Sequence, residues 1–320
     1  MKLSTLKMSS ADLKTIILII GPTCVGKTEI SISLAQKFNG EILSADSRTF
    51  YKGMDIGTAK PSKEDQERVR HYMVDIAEPG ETISLSIFQK KSKELINDIL
   101  IRGKIPFIVG GTGQYIRAIT QQWESPAVEP QLELRKILEE IAEIKGNLYL
   151  HGGLRTLDPY AADNIDPRNV RRTIRALEVI FTTGIPFSTQ RKKGKPDYAP
   201  LTIGLTRPRE ELYERIDRRI DSMFESGLVS EVEKLVKAGF SETTSSMSAI
   251  GYKECIQIIK GDITEYEAKT EIKRKTRVFV RRQANWFKPT DKNIRWFDLT
   301  STSIIDIENI IKEKMEMLNT

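Results

Sequence analysis

The chain is short of the residues from which most metal and redox sites are built. It has two cysteines and two histidines in 320 residues. Cys24 and Cys255 lie far apart with no C-x-x-C pairing, which excludes a disulfide framework or a cysteine-rich zinc site and reads as a reduced, cytoplasmic protein. With only His71 and His151 to add, the clustered nitrogen and sulfur ligands that zinc requires are missing. No run of about 18 apolar residues occurs, so no membrane-spanning helix and no membrane partner are expected. The longest early apolar stretch, 15–20 (TIILII), is too short and wrongly flanked for a signal peptide. Internal repeats and low-complexity tracts are absent as well.

What remains is an ordinary globular composition, 39% hydrophobic and 29% charged, with length for about two domains. Lys and Arg outnumber Asp and Glu by 50 to 44, a net charge of +6, which hints at a polyanionic partner. The first ten residues are polar and read as loose. Short apolar runs at 15–20, 41–44 and 106–109 read as strands buried on both faces. They alternate with helical patterns at 27–38 and 85–102, which predicts an α/β fold with a parallel sheet. Past Trp123 the texture changes to helices at 132–144 and from Arg168, the latter with Val170, Ile174, Leu177 and Phe181 on one stripe. A Pro-, Gly- and Lys-rich linker is expected at 184–200, and a strand at 201–205. The expected organisation is an α/β core (12–122 and 200–320) interrupted by a mostly helical insertion (123–199).

One motif carries chemistry without further help. Gly21-Pro22-Thr23-Cys24-Val25-Gly26-Lys27-Thr28 matches G-x-x-x-x-G-K-[ST] between a predicted strand and a predicted helix. Glycines let backbone N–H groups turn toward phosphate oxygens, and the helix N-terminus adds positive potential. Lys27 reaches the phosphates and the Thr28 hydroxyl can ligate Mg²⁺. This loop binds a diphosphate in any of several chemistries, ATP turnover by a small-molecule kinase among them. A nucleotide hydrolase usually has a second acid at a strand end to hold Mg²⁺, but the strand at 106–109 ends in Gly110-Gly111-Thr112-Gly113. Asp46, after the strand at 41–44, is the one good acid near the strand tips; it can ligate magnesium or accept a proton from a second substrate.

Five stretches together resemble the tRNA dimethylallyltransferases of bacterial type: GPTCVGKT (21–28), SADSRTFYKGMDIGTAKP (44–61), VGGTGQYIRAI (109–119), DPRNVRRTIRALEV (166–179) and RRQANWF (281–287). The resemblance spans about residues 15–290 and implies a P-loop NTPase-like core. The implied activity is transfer of a dimethylallyl group from dimethylallyl diphosphate to N6 of an adenosine beside the anticodon, position 37 of tRNAs reading codons that start with U. Mg²⁺ is the implied cofactor and the tRNA anticodon stem-loop the implied partner; prenylation of free AMP or ADP is the near alternative. By the same resemblance Asp46 activates the amine, Thr28 holds the metal, and Arg219 grips the leaving diphosphate, with Arg215 and Arg218 as competing choices. The implied RNA contacts are Asp46, Ser47, Arg48, Thr49, Thr112, Arg135, Gly251 and Lys253. The basic stripe at 272–288 (Arg277, Arg281, Arg282) and Arg168, Arg171, Arg172 and Arg175 of the insertion complete them. Each basic run could equally be a solvated helix face, and Trp286 and Phe287 are more often core than stacking platforms. Cys24, Arg70-His71-Tyr72 and Gln114 depart from the usual family residues. The stretch past Lys288 has no Cys/His cluster such as the zinc finger of eukaryotic relatives. A monomer is the expected state.

Overall fold

A computed structural model describes residues 13–319 except 122, 125, 127, 191, 194 and 195. The loose segment expected at 1–10 lies outside the described residues. By its contacts the chain divides into two compact units, Met1–Thr120 with Pro196–Thr320, and Gln121–Lys195.

The first unit begins with β1 (Lys14–Ile20), α1 (Lys27–Lys37), β2 (Gly40–Ser44), α2 (Lys63–Arg68), β3 (His71–Tyr72), α3 (Leu85–Ile101), β4 (Ile105–Gly110) and α4 (Gly113–Thr120). The second unit holds β5 (Trp123–Glu124), α5 (Leu132–Lys145), α6 (Asn147–Leu157), α7 (Pro159–Asp163), α8 (Val170–Thr183), α9 (Phe187–Gln190) and β6 (Lys192–Lys193). The chain then returns to the first unit with β7 (Tyr198–Thr206), α10 (Arg209–Glu225), α11 (Leu228–Lys237), α12 (Tyr252–Lys260), α13 (Glu265–Gln283), β8 (Ile294–Asp298) and α14 (Ile304–Asn319).

Six strands form one parallel sheet in the order β3-β2-β4-β1-β7-β8. The continuous apolar run of β1 has its reason here: it is central, flanked by β4 and β7, and Ile16 to Ile20 are at most 1% exposed. Because all strands run the same way, the loops after β1, β2, β4 and β7 gather at one edge. In such sheets that edge is where ligands bind. Phe50, Phe88 and Tyr115 stack (centroids 5.9, 5.8 and 4.1 Å apart) and anchor the 44–61 stretch to α3 and α4.

Three expectations need correction. Helix α8 starts at Val170, not Arg168: Asp166 draws the Arg168 N–H and guanidinium into a turn, and Asn169 caps the helix by accepting from Arg172 N. Ile174 and Leu177 are buried as the stripe requires, whereas Phe181 in the last turn is 55% exposed. Periodicity gives a helix its face but not how far along it the neighbours extend. The supposed linker at 184–200 carries α9 and β6, pinned by Asp158, whose carboxylate accepts Ser188 N (2.7 Å) and Oγ (2.8 Å). It also contains the first residues of β7. Pro200 pairs with Ile16 of β1, and because β8 pairs only from Thr202 onward its missing N–H breaks no bond to β8.

Candidate active site

The phosphate loop leaves β1 and turns back into α1 through two left-handed residues, Cys24 (φ 64°) and Gly26 (φ 113°). Alternation of this kind points successive N–H groups inward as an anion nest, and at Gly26 the backbone favours glycine strongly. Lys27 lies over the nest, its Nζ donating to Gly21 O (3.0 Å) and Pro22 O (2.8 Å). Burial pushes its pKa down to about 8, with Asp46 pulling the other way and the Arg219 cation adding to the depression. An anion entering the loop would offset that desolvation by attraction and favour the charged form.

The loop is braced from outside by α10 and the turn before it. Arg207 Nε donates to Val25 O (2.9 Å), Arg215 Nε to Cys24 O (2.8 Å), and Arg219 Nη1 reaches Cys24 Sγ (3.4 Å). The three competing arginines differ in placement. Arg215 commits a donor to the loop, Arg218 is exposed at the rim, and Arg219 lines both cavities described below. Gln283, at the end of α13, accepts Thr23 N (2.9 Å) and donates to Gly111 O (3.3 Å), tying the loop to the strand end of β4. Sequence reasoning missed Arg207 and Gln283, and no sequence pattern marks either; Gln283 is buried where it meets the loop.

Asp46 follows β2. Its Oδ1 accepts Arg48 N (3.0 Å), and Oδ2 has no partner among the described residues. Thr49, 6% exposed, shares a hydrogen bond with Ser44 (2.9 Å) and donates to Asp46 O (3.0 Å), so it shapes the turn that presents Asp46. Arg48 Nη1 donates to Ser245 O and Ser246 O, at 3.4 and 3.3 Å.

Two cavities meet at Asp46. A polar one of about 580 Å³ is lined by Lys27, Thr28, Asp46, His71, Arg215 and Arg218 among others. The Thr28 hydroxyl has no partner among the described residues. His71 there donates its Nδ1–H to Val69 O (2.7 Å), and burial lowers its pKa. The second cavity, about 490 Å³, has an apolar wall of Ile216, Ile220, Met223, Leu228 and Phe279, and polar edges at Ser47, Arg48, Thr112, Gly251 and Arg282. Thr23, Cys24, Asp46, Thr58, Ala59 and Arg219 line both. Trp286, half-buried, is a wall of the second cavity beneath Arg117, whose guanidinium carbon lies 5.2 Å from the ring centroid. Phe287 is partly buried against the core.

The remaining basic residues fall into two groups. Arg135 and Arg175 hold the fully buried Glu178 carboxylate at 2.7 and 2.5 Å, joined by Gln131 N. Burial alone would raise the pKa of Glu178, but these donors hold it at about 2. Arg168 pairs with Asp166 (2.6 Å) and Arg277 with Asp217 (2.5 Å), while Arg281 donates to Tyr213 OH (3.2 Å). Arg171, Arg172 and Arg282 are exposed, with no partner among the described residues, and the exposed Lys253 lies within electrostatic reach of Glu242. Among the described residues no cluster of three or more His, Cys, Asp or Glu could hold a metal by itself.

Residues 49–290 match the IPP transferase family. A tRNA dimethylallyltransferase from Carboxydothermus hydrogenoformans is 47% identical over 302 residues, 93% of this chain and 96% of that one. Of the solved structures, the full-length tRNA isopentenylpyrophosphate transferase of Bacillus halodurans aligns with a TM-score of 0.71 at 41% identity, over 96% of this chain and 98% of the other. A eukaryotic dimethylallyltransferase acting on tRNA aligns at 0.77 with 28% identity, over 90% and 75%. With a P-loop joined to a second cavity through one carboxylate, and with near-complete coverage by such relatives, the chain belongs to the IPP transferase family.

Proposed function

We propose that this protein transfers the dimethylallyl group of dimethylallyl diphosphate to N6 of an adenosine beside the anticodon of a tRNA, releasing diphosphate. The observation that carries the reading is the position of Asp46 at the junction of the cationic cavity and the apolar one. A diphosphate held by the loop N–H groups, Lys27 and Arg219 points its esterified carbon toward that junction. An unstacked adenine in the second cavity brings N6 there from the other side.

In the transfer, the amine nitrogen forms a bond to the allylic carbon as the C–O bond to diphosphate breaks, and the amine loses one proton. Adenine N6 is a weak nucleophile because its lone pair is delocalised into the ring. Asp46, with Oδ2 unpartnered, takes a hydrogen bond from the N–H and receives the proton. Lys27, Arg219 and the nest oppose the charge that develops on the leaving oxygen. Magnesium fits the chain's own oxygens. Thr28 offers a hydroxyl in the polar cavity, whose lining also carries Glu29 and Asp46, a sparse set suited to an ion that takes most of its ligands from phosphate and water. When bound, it supplies further neutralisation of the diphosphate.

Arg282 and Lys253 near the second cavity, and Arg171 and Arg172 on the helical unit, are exposed cations that can meet tRNA phosphates. Arg135, Arg168, Arg175 and Arg277 each already pair with an acidic side chain. No helix among the described residues is long and apolar enough to cross a membrane, and the reading puts the enzyme with its tRNA in the cytoplasm.

Incubation with labelled dimethylallyl diphosphate, Mg²⁺ and either unmodified tRNA, AMP or no acceptor tests the reading. Label in tRNA at N6 of adenosine is expected. Label in AMP instead, or γ-phosphoryl transfer from ATP to a metabolite with the prenyl donor untouched, would overturn it.

A further inference from the structure

The stretch DIGTAK (55–60) is unlike anything a phosphate loop needs, and no step of the transfer uses its polar side chains. They fold the loop itself: Thr58 Oγ1 donates to Met54 O (2.6 Å), while Lys60, 3% exposed, donates to Tyr51 O (2.9 Å) and pairs with Asp55 and Asp75. Its backbone is held from elsewhere. On α11, the Glu231 carboxylate accepts successive N–H groups, Asp55 (3.0 Å) and Ile56 (2.7 Å) at Oε2 and Gly57 (3.2 Å) at Oε1, and Tyr252 OH at Oε1 (2.6 Å). Tyr252 is fully buried against Gly57, where an added Cβ would stand 2.5 Å from the ring. Only glycine allows that approach.

We infer that Glu231 is a positioning residue that fixes the wall between the two cavities. It lines neither cavity, but the loop it grips continues into Thr58 and Ala59, which line both. Through Tyr252 it also holds the start of α12, next to the Ser248–Gly251 edge of the second cavity. The inference rests on the prenyl-transfer reading. The allylic carbon crosses from one cavity to the other beside this wall, and water arriving there competes with the amine. Water then bonds to the allylic carbon, the C–O bond to diphosphate breaks, and dimethylallyl alcohol, diphosphate and a proton result. Holding the wall closed favours transfer over hydrolysis.

The test is the partition between prenylated tRNA and dimethylallyl alcohol in E231Q and Y252F. The amide of E231Q turns a donor toward either the N–H groups or the tyrosine hydroxyl, so at least one contact is lost. Transfer is expected to slow by roughly 10- to 100-fold, with alcohol rising as a share of product and the KM for the prenyl diphosphate within about threefold of the wild type. Y252F, which keeps the ring and drops one hydrogen bond, is expected to lie between. Both variants losing transfer and hydrolysis in equal proportion, or retaining the wild-type partition, would overturn the inference and leave Glu231 a stability residue. If E231Q does not fold, the Y252F partition decides. Wild-type protein that labels no tRNA defeats the transfer reading itself, whereas wild-type transfer with an unmoved partition in the variants defeats only the role of Glu231.

Discussion

Asp46 has one carboxylate oxygen fixed by the backbone that follows it and one left for chemistry, a division that makes its substitution informative. Asp46→Asn keeps the Arg48 N–H contact and removes the proton acceptor. We expect turnover to fall by about 10²- to 10⁴-fold while tRNA affinity in a filter-binding assay stays within a few-fold. A matching collapse of affinity would mean that Asp46 holds the RNA rather than activating it. Gln283 works at one remove. Gln283→Met preserves its length and removes both the acceptor for Thr23 N and the donor to Gly111 O. The loop then loses its tie to β4, and the KM for dimethylallyl diphosphate should rise by roughly tenfold in steady-state kinetics with tRNA saturating. An unchanged KM would show that the arginine braces suffice. Residue types at the loop and at Asp46 were legible in the sequence because the chemistry demands them. Gln283 was not, since a single glutamine has no pattern and its meaning comes from two backbone groups distant in the chain.

Among the elements, α8 shows how a basic face can also carry a structural ion pair. Arg175 lies on it in what reads as an RNA-binding run, yet it turns to the same buried carboxylate that Arg135 reaches from α5. Glu178 titrates at about 2 in the folded chain against an ordinary 4.5, a depressed value. The stability it contributes is therefore complete above about pH 4.5 and is lost as pH falls toward 2. Glu178→Gln should destabilise the protein by roughly 2 kcal/mol at pH 7, below the range for fully buried pairs because both arginines keep access to water. It should also flatten the loss of stability between pH 5 and pH 2, as followed by urea denaturation. A variant with the wild-type acid slope would contradict this assignment. The apolar stripe of α8 was readable from helical spacing, but a buried glutamate inside it, paired with an arginine more than forty residues away, was not.

Over the whole molecule, tRNA affinity should depend on salt, since a polyanion displaces counterions wherever free cations meet it. Arg282 has no partner among the described residues and Arg281 has only a tyrosine hydroxyl. Arg281→Ala with Arg282→Ala is expected to weaken tRNA binding and to lower the slope of log Kd against log salt by about one to two. Arg277→Ala, which breaks an ion pair with Asp217, should instead act chiefly through stability. Equal salt slopes in the double variant and the wild type would remove the end of α13 from the RNA surface.

The sequence alone determined the local parts: a buried central strand, the phosphate loop that follows it, the alternation that makes a parallel sheet, and an acid at a strand tip. These depend on residue type and short-range spacing, which the backbone reads within a few positions. Tertiary structure decided which cations are exposed and which are paired with acids, which of three neighbouring arginines lines both cavities, and what holds the DIGTAK loop in place. Each of those outcomes is a contact between groups tens to hundreds of residues apart, and their proximity is set by packing around the sheet.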